Sequence, residues 1–523
     1  MPTARASIPT RRTLAWLLGL AVAFVLLGLL YSAYLLSWDA EWTYMTMGRL
    51  ALTGRIGLFQ DEMMGERLPL PYYVIGLSQL ITGPSLLSGR VISLAFGLLA
   101  LGFTFLAARS IAGNGAGLLA AAFLATHAMV VGYYAAASYF GFCAALMAAG
   151  IAALTGLRRP AGSLVCMACF TAVAFSRANL AVMAPLVLIY MLVTADTLRE
   201  RVGLLVVCGL PALAFFLWST DHLKILAYVP GLGGLVAPLG YRSAFALGTQ
   251  ALWIDREGGE NLVWFIKRHA AFIAPTVVLA AALLVARARG HRITLPRPVW
   301  LVAVLVLYTF GWQMIILRFY LKSIAAWAAT FAPLWAVVLG CVAAAVLDAR
   351  EARIGPVRIA TAIACGVSLL LSPAFSRHAA MPRPLPDVTT VRAYDVAATT
   401  FRASISPDQR VFVLGNPLLA YLAGGRLYPQ QTFHFTTLVP STDHYAVSRS
   451  GFWGERELEQ WLGRDAAFAV VEPAVLEVLR AVPAYTPLVA RLETLLGQHF
   501  RRVVEVGSVV GAPRQVLYRR VGS

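Results

Sequence analysis

The sequence predicts a mostly α-helical integral membrane protein of about eleven transmembrane helices, followed by a small C-terminal extracytoplasmic α/β domain. Three observations predict it. Of the 523 residues 59% are apolar and only 13% charged, more apolar surface than a soluble fold of this size can hide. Apolar runs of about 18 residues, the length a bilayer requires, recur from Leu14 to about residue 373. After Pro373 the pattern changes to short apolar runs broken by polar, Gly and Pro residues.

The first run, Leu14 to Leu36, follows Arg11-Arg12. It is too long for a signal-peptide core and lacks a small-x-small cleavage site, so it is expected to remain as a helix with a cytoplasmic N-terminus. The other expected spans lie near 89–108, 115–133, 138–156, 161–176, 179–195, 202–218, 271–286, 299–317, 323–346 and 359–373. Parity then assigns to the cytoplasm the loops with Arg109, Arg158-Arg159, Arg199 and Arg201, the cluster Arg287, Arg289, Arg292 and Arg297, and Arg350, Arg353 and Arg358. Short basic loops on that side satisfy the positive-inside rule. Arginines on the cytoplasmic flanks of helices are the better reading of the formal charge of +18, so nucleic acid is not an expected partner.

Residues 1–373 thus form the expected transmembrane domain, with outer loops 37–88 and 219–270. Residues 374–386, with the Pro-rich Met381-Pro-Arg-Pro-Leu-Pro386, form a hinge, and 387–523 an extracytoplasmic α/β domain. Within loop 37–88, Leu70 to Ile81 makes about three turns of apolar helix, too short to span and suited to the interface. In the tail, helices are expected at Asp387–Ser404, Pro417–Ala423, Glu455–Leu462 and Leu488–Phe500. Strands are expected at Arg410–Gly415 and Ala466–Glu472, and a terminal hairpin pairs Arg501–Val510 with Gln515–Val521. Gly424-Gly425 lacks the spacing of a nucleotide-binding loop and is read as a turn. The six cysteines all lie in apolar runs, so no disulfide framework is implied, and Cys166 and Cys169 are read as packing despite their CxxC spacing.

The chemistry concentrates where the first span ends, in Ser37-Trp-Asp-Ala-Glu-Trp-Thr-Tyr-Met45. Asp39 and Glu41 face the same way on an extended segment and diverge by about 200° on a helix. They are open to two readings: solvated residues beside an aromatic belt, or working carboxylates. Arg49, Arg55, Asp61, Glu62, Glu66, Arg67 and Arg90 follow. Carboxylates and guanidiniums pressed against a bilayer suit a substrate with a lipid tail and an anionic head, since cations hold the phosphate and a carboxylate reaches the reacting hydroxyl.

The order Trp38-Asp39-Ala-Glu41, Gly48-Arg-Leu-Ala-Leu-Thr-Gly54, Leu68-Pro-Leu-Pro-Tyr-Tyr73, Thr82-Gly83-Pro-Ser85 and Ser88-Gly-Arg-Val-Ile-Ser93 resembles the GT-C superfamily of polytopic glycosyltransferases. It is most similar to the bacterial branch related to protein O-mannosyltransferases and the lipid A aminoarabinose transferase, over about residues 31–195. The resemblance implies inverting transfer of a sugar from a polyprenyl-phosphate donor to an extracytoplasmic lipid, cell-wall glycan or protein acceptor, at a bacterial plasma membrane. It implies that Asp39 is the catalytic base, with Glu41 as helper or alternative. Arg177 is the first candidate for the lipid phosphate, its bland reading being an arginine that snorkels to the interface. Arg318, Tyr320 and Lys322 form a second group, joined by Arg49 and Arg55. A divalent metal such as Mg or Mn is compatible, with Asp61 and Glu62 as weak candidate ligands. The turn Tyr133-Tyr-Ala-Ala-Ala-Ser-Tyr-Phe-Gly141 lacks the acidic residue that many members carry there. Either Glu41, Asp61 or Glu62 replaces it, or the metal and acceptor chemistry differs, or the chain is a degenerate member. The rival classes are a lipid or sugar transporter and a non-catalytic membrane scaffold. The first would show repeats or mid-membrane charges, which are not evident here.

Overall fold

The computed structural model describes residues 9–56, 69–177, 180–218, 233–240, 263, 265–316, 321–349, 355–407, 409–432, 437–507 and 513–522. Helices occupy each of the eleven segments expected to span. Six are long and apolar enough to cross a membrane, and three shorter apolar ones accompany them among the described residues.

The chain enters through α1 (Arg11–Tyr34), whose first turn is capped by the Thr10 hydroxyl accepting from the Thr13 N–H. Two short helices follow, α2 (Asp39–Leu52) and α3 (Pro69–Thr82). The expected interfacial helix is α3. They cross where glycine meets glycine: a Cβ on Gly48 would lie 2.8 Å from the Gly76 Cα, and one on Gly76 would lie 2.3 Å from the Gly48 carbonyl carbon. Only hydrogen at both positions allows that approach.

The expected spans 89–108 and 115–133 form one helical run, α4 (Leu86–Thr126), broken at Ala112 and Gly113, where Gly113 takes φ 90°. The second of these spans is also interrupted. The helix stops at Thr126 and resumes as α5 (Ala128–Tyr134). The Ser376 hydroxyl accepts from the Ala128 N–H at 2.8 Å, and the His127 ring sits 3.2 Å from a nitrogen of His269. Ser376 thereby takes one backbone group that the break frees, and the Ser372 hydroxyl takes another by donating to the Thr126 carbonyl at 2.9 Å.

Then come α6 (Tyr139–Gly156), α7 (Ala161–Ala174), α8 (Met183–Thr194), α9 (Leu198–Leu204) and α10 (Leu210–Trp218), the last two joined by a π-turn over Leu205–Gly209. Pro211 follows that turn and has no N–H to donate, so the ordinary ladder cannot run through it. The remaining long helices are α11 (Ala270–Ala288), α12 (Arg297–Ile316), α13 (Leu321–Asp348) and α14 (Gly355–Phe375). The bundle closes around α4, α6 and α13. Gly340 of α13 sits against α4, a Cβ there falling 2.5 Å from the Ala116 carbonyl oxygen. All six cysteines are free thiols.

The tail opens with α15 (Thr390–Arg402) and builds a five-stranded sheet. Its strands are β1 (Arg410–Leu414), β2 (Arg426–Leu427), β3 (Phe468–Val471), β4 (Phe500–Val506) and β5 (Gln515–Arg520), in the order β2-β1-β3-β5-β4. The first three are mutually parallel, with Val411 opposite Phe468, and β5 is antiparallel to both β3 and β4. Val411 to Leu414 and Phe468 to Val471 are all buried, as parallel strands covered on both faces must be. Helices α16 (Leu418–Leu422), α17 (His444–Arg449), α18 (Glu455–Gln460), α19 (Pro473–Arg480) and α20 (Thr486–His499) flank it.

Candidate active site

At one end of the bundle the chain leaves α1, turns through Leu35 to Trp38 and starts α2 at Asp39. Asp39 is thus the first helical residue and Glu41 the third, so the helix sets the two about 200° apart. The side chain of Asp39 lies outside what the structure describes. Glu41 is fully buried and holds Arg90, which is fully buried too. The Arg90 Nε and Nη2 donate to the two carboxylate oxygens at 2.8 Å each, and its Nη1 donates to the Ser32 carbonyl at 2.9 Å. The Ala137 N–H completes the set, donating to Glu41 Oε1 at 2.9 Å. A single bidentate pair thereby ties together the end of α1, the start of α2, the first turn of α4 and the turn between α5 and α6.

Aromatic rings surround this anchor. Trp38 stacks on Phe140 at 5.7 Å and leans on Tyr133 at 5.4 Å, while its indole N–H is buried without a partner among the described residues. Tyr44 lies between Tyr72 at 4.6 Å and Tyr139 at 5.7 Å. The Arg177 guanidinium sits 4.7 Å over the Tyr139 ring, and the residue is 6% exposed. A cation held against an aromatic face in that position is buried rather than snorkelling to water.

The tail closes over α2. The Trp42 indole donates to the Ser37 hydroxyl at 2.9 Å, which donates to the Tyr394 hydroxyl at 2.9 Å. The Asn416 side-chain amide donates to that same hydroxyl at 2.8 Å. Burial pushes the Tyr394 phenol up to about 12, so it stays protonated. The Tyr421 hydroxyl donates to Gln79 Oε1 at 3.2 Å, and Thr43 donates to the Thr432 carbonyl at 3.1 Å. Asn416 follows β1, so the carboxyl ends of the parallel strands face the Ser37–Glu41 segment. Such ends are where open α/β sheets present ligands.

Of the residues singled out by sequence, the structure brings Glu41 and Arg177 to one aromatic group at the start of α2. Arg49 lies against Tyr421 of the tail, and Arg55 is exposed in the turn after α2. Arg318, Tyr320, Asp61 and Glu62 lie outside the described residues, as does the side chain of Lys322. Among the described residues no three His, Cys, Asp or Glu side chains converge as a metal site would require. Both oxygens of Glu41 are already taken by Arg90 and Ala137. Carboxylates for a metal would therefore come from Asp39, Asp61 or Glu62.

Sequence reading placed Arg90 among the cations suited to a lipid phosphate and missed its pairing with Glu41. Its signal was an arginine one turn inside an apolar run, where a buried charge demands a partner. It also passed over Arg268, Arg377 and Arg383, which line a cavity of about 400 Å³ with Leu36, His378, Ala379, Met381 and Pro382. Their signal was position: three cations in segments that the arginine count places outside, against the positive-inside trend.

A family model described as dolichyl-phosphate-mannose-protein mannosyltransferase matches residues 66–233. The fold is similar to the oligosaccharyltransferase AglB of Archaeoglobus fulgidus in complex with an inhibitory peptide and a dolichol-phosphate, at 12% identity and TM-score 0.52, covering 98% of this chain and 74% of that one. The same organism's oligosaccharyltransferase with Zn and sulfate gives 13% identity and TM-score 0.52 over 97% of this chain and 73% of that one. ArnT from Cupriavidus metallidurans bound to undecaprenyl phosphate aligns over 99% of both chains at 14% identity and TM-score 0.44. No curated protein matches the sequence.

Proposed function

We propose that this chain, a member of the GT-C superfamily of membrane glycosyltransferases, transfers a sugar from a polyprenyl-phosphate donor to an acceptor hydroxyl outside the cytoplasm, with inversion. The observation that carries the reading is the buried Glu41–Arg90 pair, which fixes position 39 at the mouth of the bundle. The donor class is supported by the family model named for dolichyl-phosphate mannose, which matches residues 66–233. The setting proposed is a bacterial plasma membrane, with the N-terminus cytoplasmic and residues 387–523 outside as an α/β domain that offers contacts to the lipid, glycan or protein acceptor.

In this mechanism Asp39 takes the proton of the acceptor hydroxyl while its oxygen attacks the anomeric carbon. The bond from that carbon to the phosphate oxygen breaks, and the lipid phosphate leaves with the electron pair. Phosphate is a good leaving group, so the demanding steps are activating the hydroxyl and holding the growing negative charge. A placed base contributes about 10²–10⁴-fold. Arg177 supplies positive charge beside Tyr139, and the Arg318, Tyr320 and Lys322 group is the second candidate for the phosphate. Glu41 positions rather than reacts, because both its oxygens already accept hydrogen bonds.

The test is to incubate purified protein with a panel of polyprenyl-phosphate sugars and candidate acceptors, following release of polyprenyl phosphate and appearance of the glycosylated product. One donor should support turnover with inverted anomeric configuration. Retention of configuration, or transport of the intact donor across sealed vesicles without transfer, would refute the proposal.

A further inference from the structure

In the tail's sheet β1 and β3 are parallel neighbours, in the order β2-β1-β3-β5-β4. The chain leaving β1 turns through α16 to β2 on one side, and the chain leaving β3 turns through α19 and α20 to β4 on the other. Where parallel neighbours send their connections apart, a crevice forms between their carboxyl ends, and open α/β sheets bind ligands there. Its edges here are Gly415-Asn416 after β1 and Glu472-Pro473 after β3.

A single carboxylate spans those edges. Glu472 stands at the N-cap of α19, yet its side chain makes no cap bond. It turns instead to the facing loop, where its Oε2 accepts from the Asn416 N–H at 3.1 Å. Gly415 makes room for it, with φ 125°, and a Cβ there would lie 2.6 Å from that same oxygen. Gln515 of β5 is a second donor. A carboxylate offers about four acceptor positions, so these two donors leave others unused, and the residue is only half-buried. Among the described residues it makes no ion pair.

Burial raises the Glu472 carboxyl above its ordinary range, so keeping it ionised at neutral pH costs the folded protein stability. A glutamine carbonyl would accept the Asn416 N–H without that cost. The bridge alone therefore does not call for a carboxylate, whereas hydrogen-bond donors on a ligand do.

The crevice is also tied to the start of α2. The Asn416 carbonyl accepts from Gln515 Nε2 at 2.6 Å, and its Oδ1 accepts from the Leu418 N–H at 2.9 Å. Its Nδ2 donates to the Tyr394 hydroxyl at 2.8 Å, which also accepts from Ser37, two residues before Asp39.

We propose that the crevice between β1 and β3 binds the acceptor, with the unused acceptor positions of the Glu472 carboxylate taking adjacent hydroxyls of a neutral sugar. A sugar offers hydroxyls in pairs, where a serine or threonine side chain offers one, and an anionic group would be repelled. The inference rests on the proposed function for calling that sugar the acceptor, but not for the binding itself.

Binding is therefore measured without donor or turnover, on the full chain in neutral-lipid nanodiscs, by saturation-transfer NMR. The probes are neutral gluco-, galacto- and manno-configured disaccharides, their deoxy analogues and a serine-rich peptide. At least one disaccharide should bind, and more weakly once one of two adjacent hydroxyls is removed. Glu472→Gln should weaken it about tenfold, as loss of a charge-assisted hydrogen bond does, while its melting temperature at neutral pH holds or rises. Glu477→Gln, at an exposed position of the same helix, should bind as the wild type does. A purely structural Glu472 would do the reverse, with stability falling and affinity untouched. Binding of no disaccharide, tighter binding of the peptide, or unchanged affinity in Glu472→Gln would overturn the proposal. Sugar binding lost in Glu472→Gln, in a protein that turns over no donor, would refute the proposed reaction and leave this site standing. Turnover with an unchanged acceptor KM in Glu472→Gln would refute the site alone.

Discussion

Glu41 and Arg90 illustrate how one buried pair can organise a site. Two charges taken out of water gain little net stability from each other, but removing one leaves the other uncompensated, at a cost of about 3–5 kcal/mol. Glu41→Ala and Arg90→Ala should each lower the unfolding temperature in detergent and abolish turnover, whereas the double substitution Glu41→Gln with Arg90→Met should recover much of the stability but not the activity. A double variant no more stable than the singles would show that the pair is not the anchor. Another titrating residue lies in the tail. Burial raises the Glu472 carboxyl, against hydrogen bonds from the Asn416 N–H and Gln515 that lower it. The folded state therefore favours the protonated form. Its contribution is fully present below the unfolded carboxylate range and is lost as pH rises through the raised folded value. Melting curves of the full chain should show this downward slope with rising pH, and Glu472→Gln should flatten it.

Among elements, the decisive contact is the crossing of α2 and α3. Alanine at Gly48 would place a methyl 2.2 Å from the Tyr72 carbonyl oxygen, so the two helices must part. Gly48→Ala and Gly76→Ala should each reduce activity and melting temperature, by about 1–3 kcal/mol for overpacking, and Gly54→Ala would be a poor control because Gly54 has φ 68°. Alanine at Gly19, where nothing lies within 4 Å of the added Cβ, should be silent. This is also the scale at which the sequence was most legible. The apolar runs placed every long helix, and the short continuous apolar runs in Arg410–Gly415 and Ala466–Glu472 placed β1 and β3. What pattern could not show was two-residue β2, recruited only by pairing with Arg410 and Val411. Nor could it show the stop at His127, which depends on His269 and Ser376 far along the chain. The Glu41–Arg90 pair was hidden for the same reason. The residues were visible, but their partnership spans 49 positions and is set by packing. Arg177 could be named from its place between two short spans, while its contact with Tyr139 could not.

For the whole molecule, the tail is a roof on the site rather than an appendage. Ser37, Trp42, Tyr394 and Asn416 form one hydrogen-bonded chain from α2 to the end of β1, and Thr390 donates to the Tyr34 carbonyl at 2.9 Å. Tyr394→Phe removes the acceptor shared by Ser37 and Asn416 and should lower kcat about tenfold or more and the melting temperature with it, since two hydrogen bonds go and their donors are left unpaired. Unchanged kcat would mean that the roof does not position α2. All of these links serve one end, the placement of the residue that begins α2. Steady-state turnover of Asp39→Asn measures that most directly, beside its melting temperature. The account predicts a fall of about 10²–10⁴-fold with folding intact; an asparagine variant that turns over at the wild-type rate would contradict it.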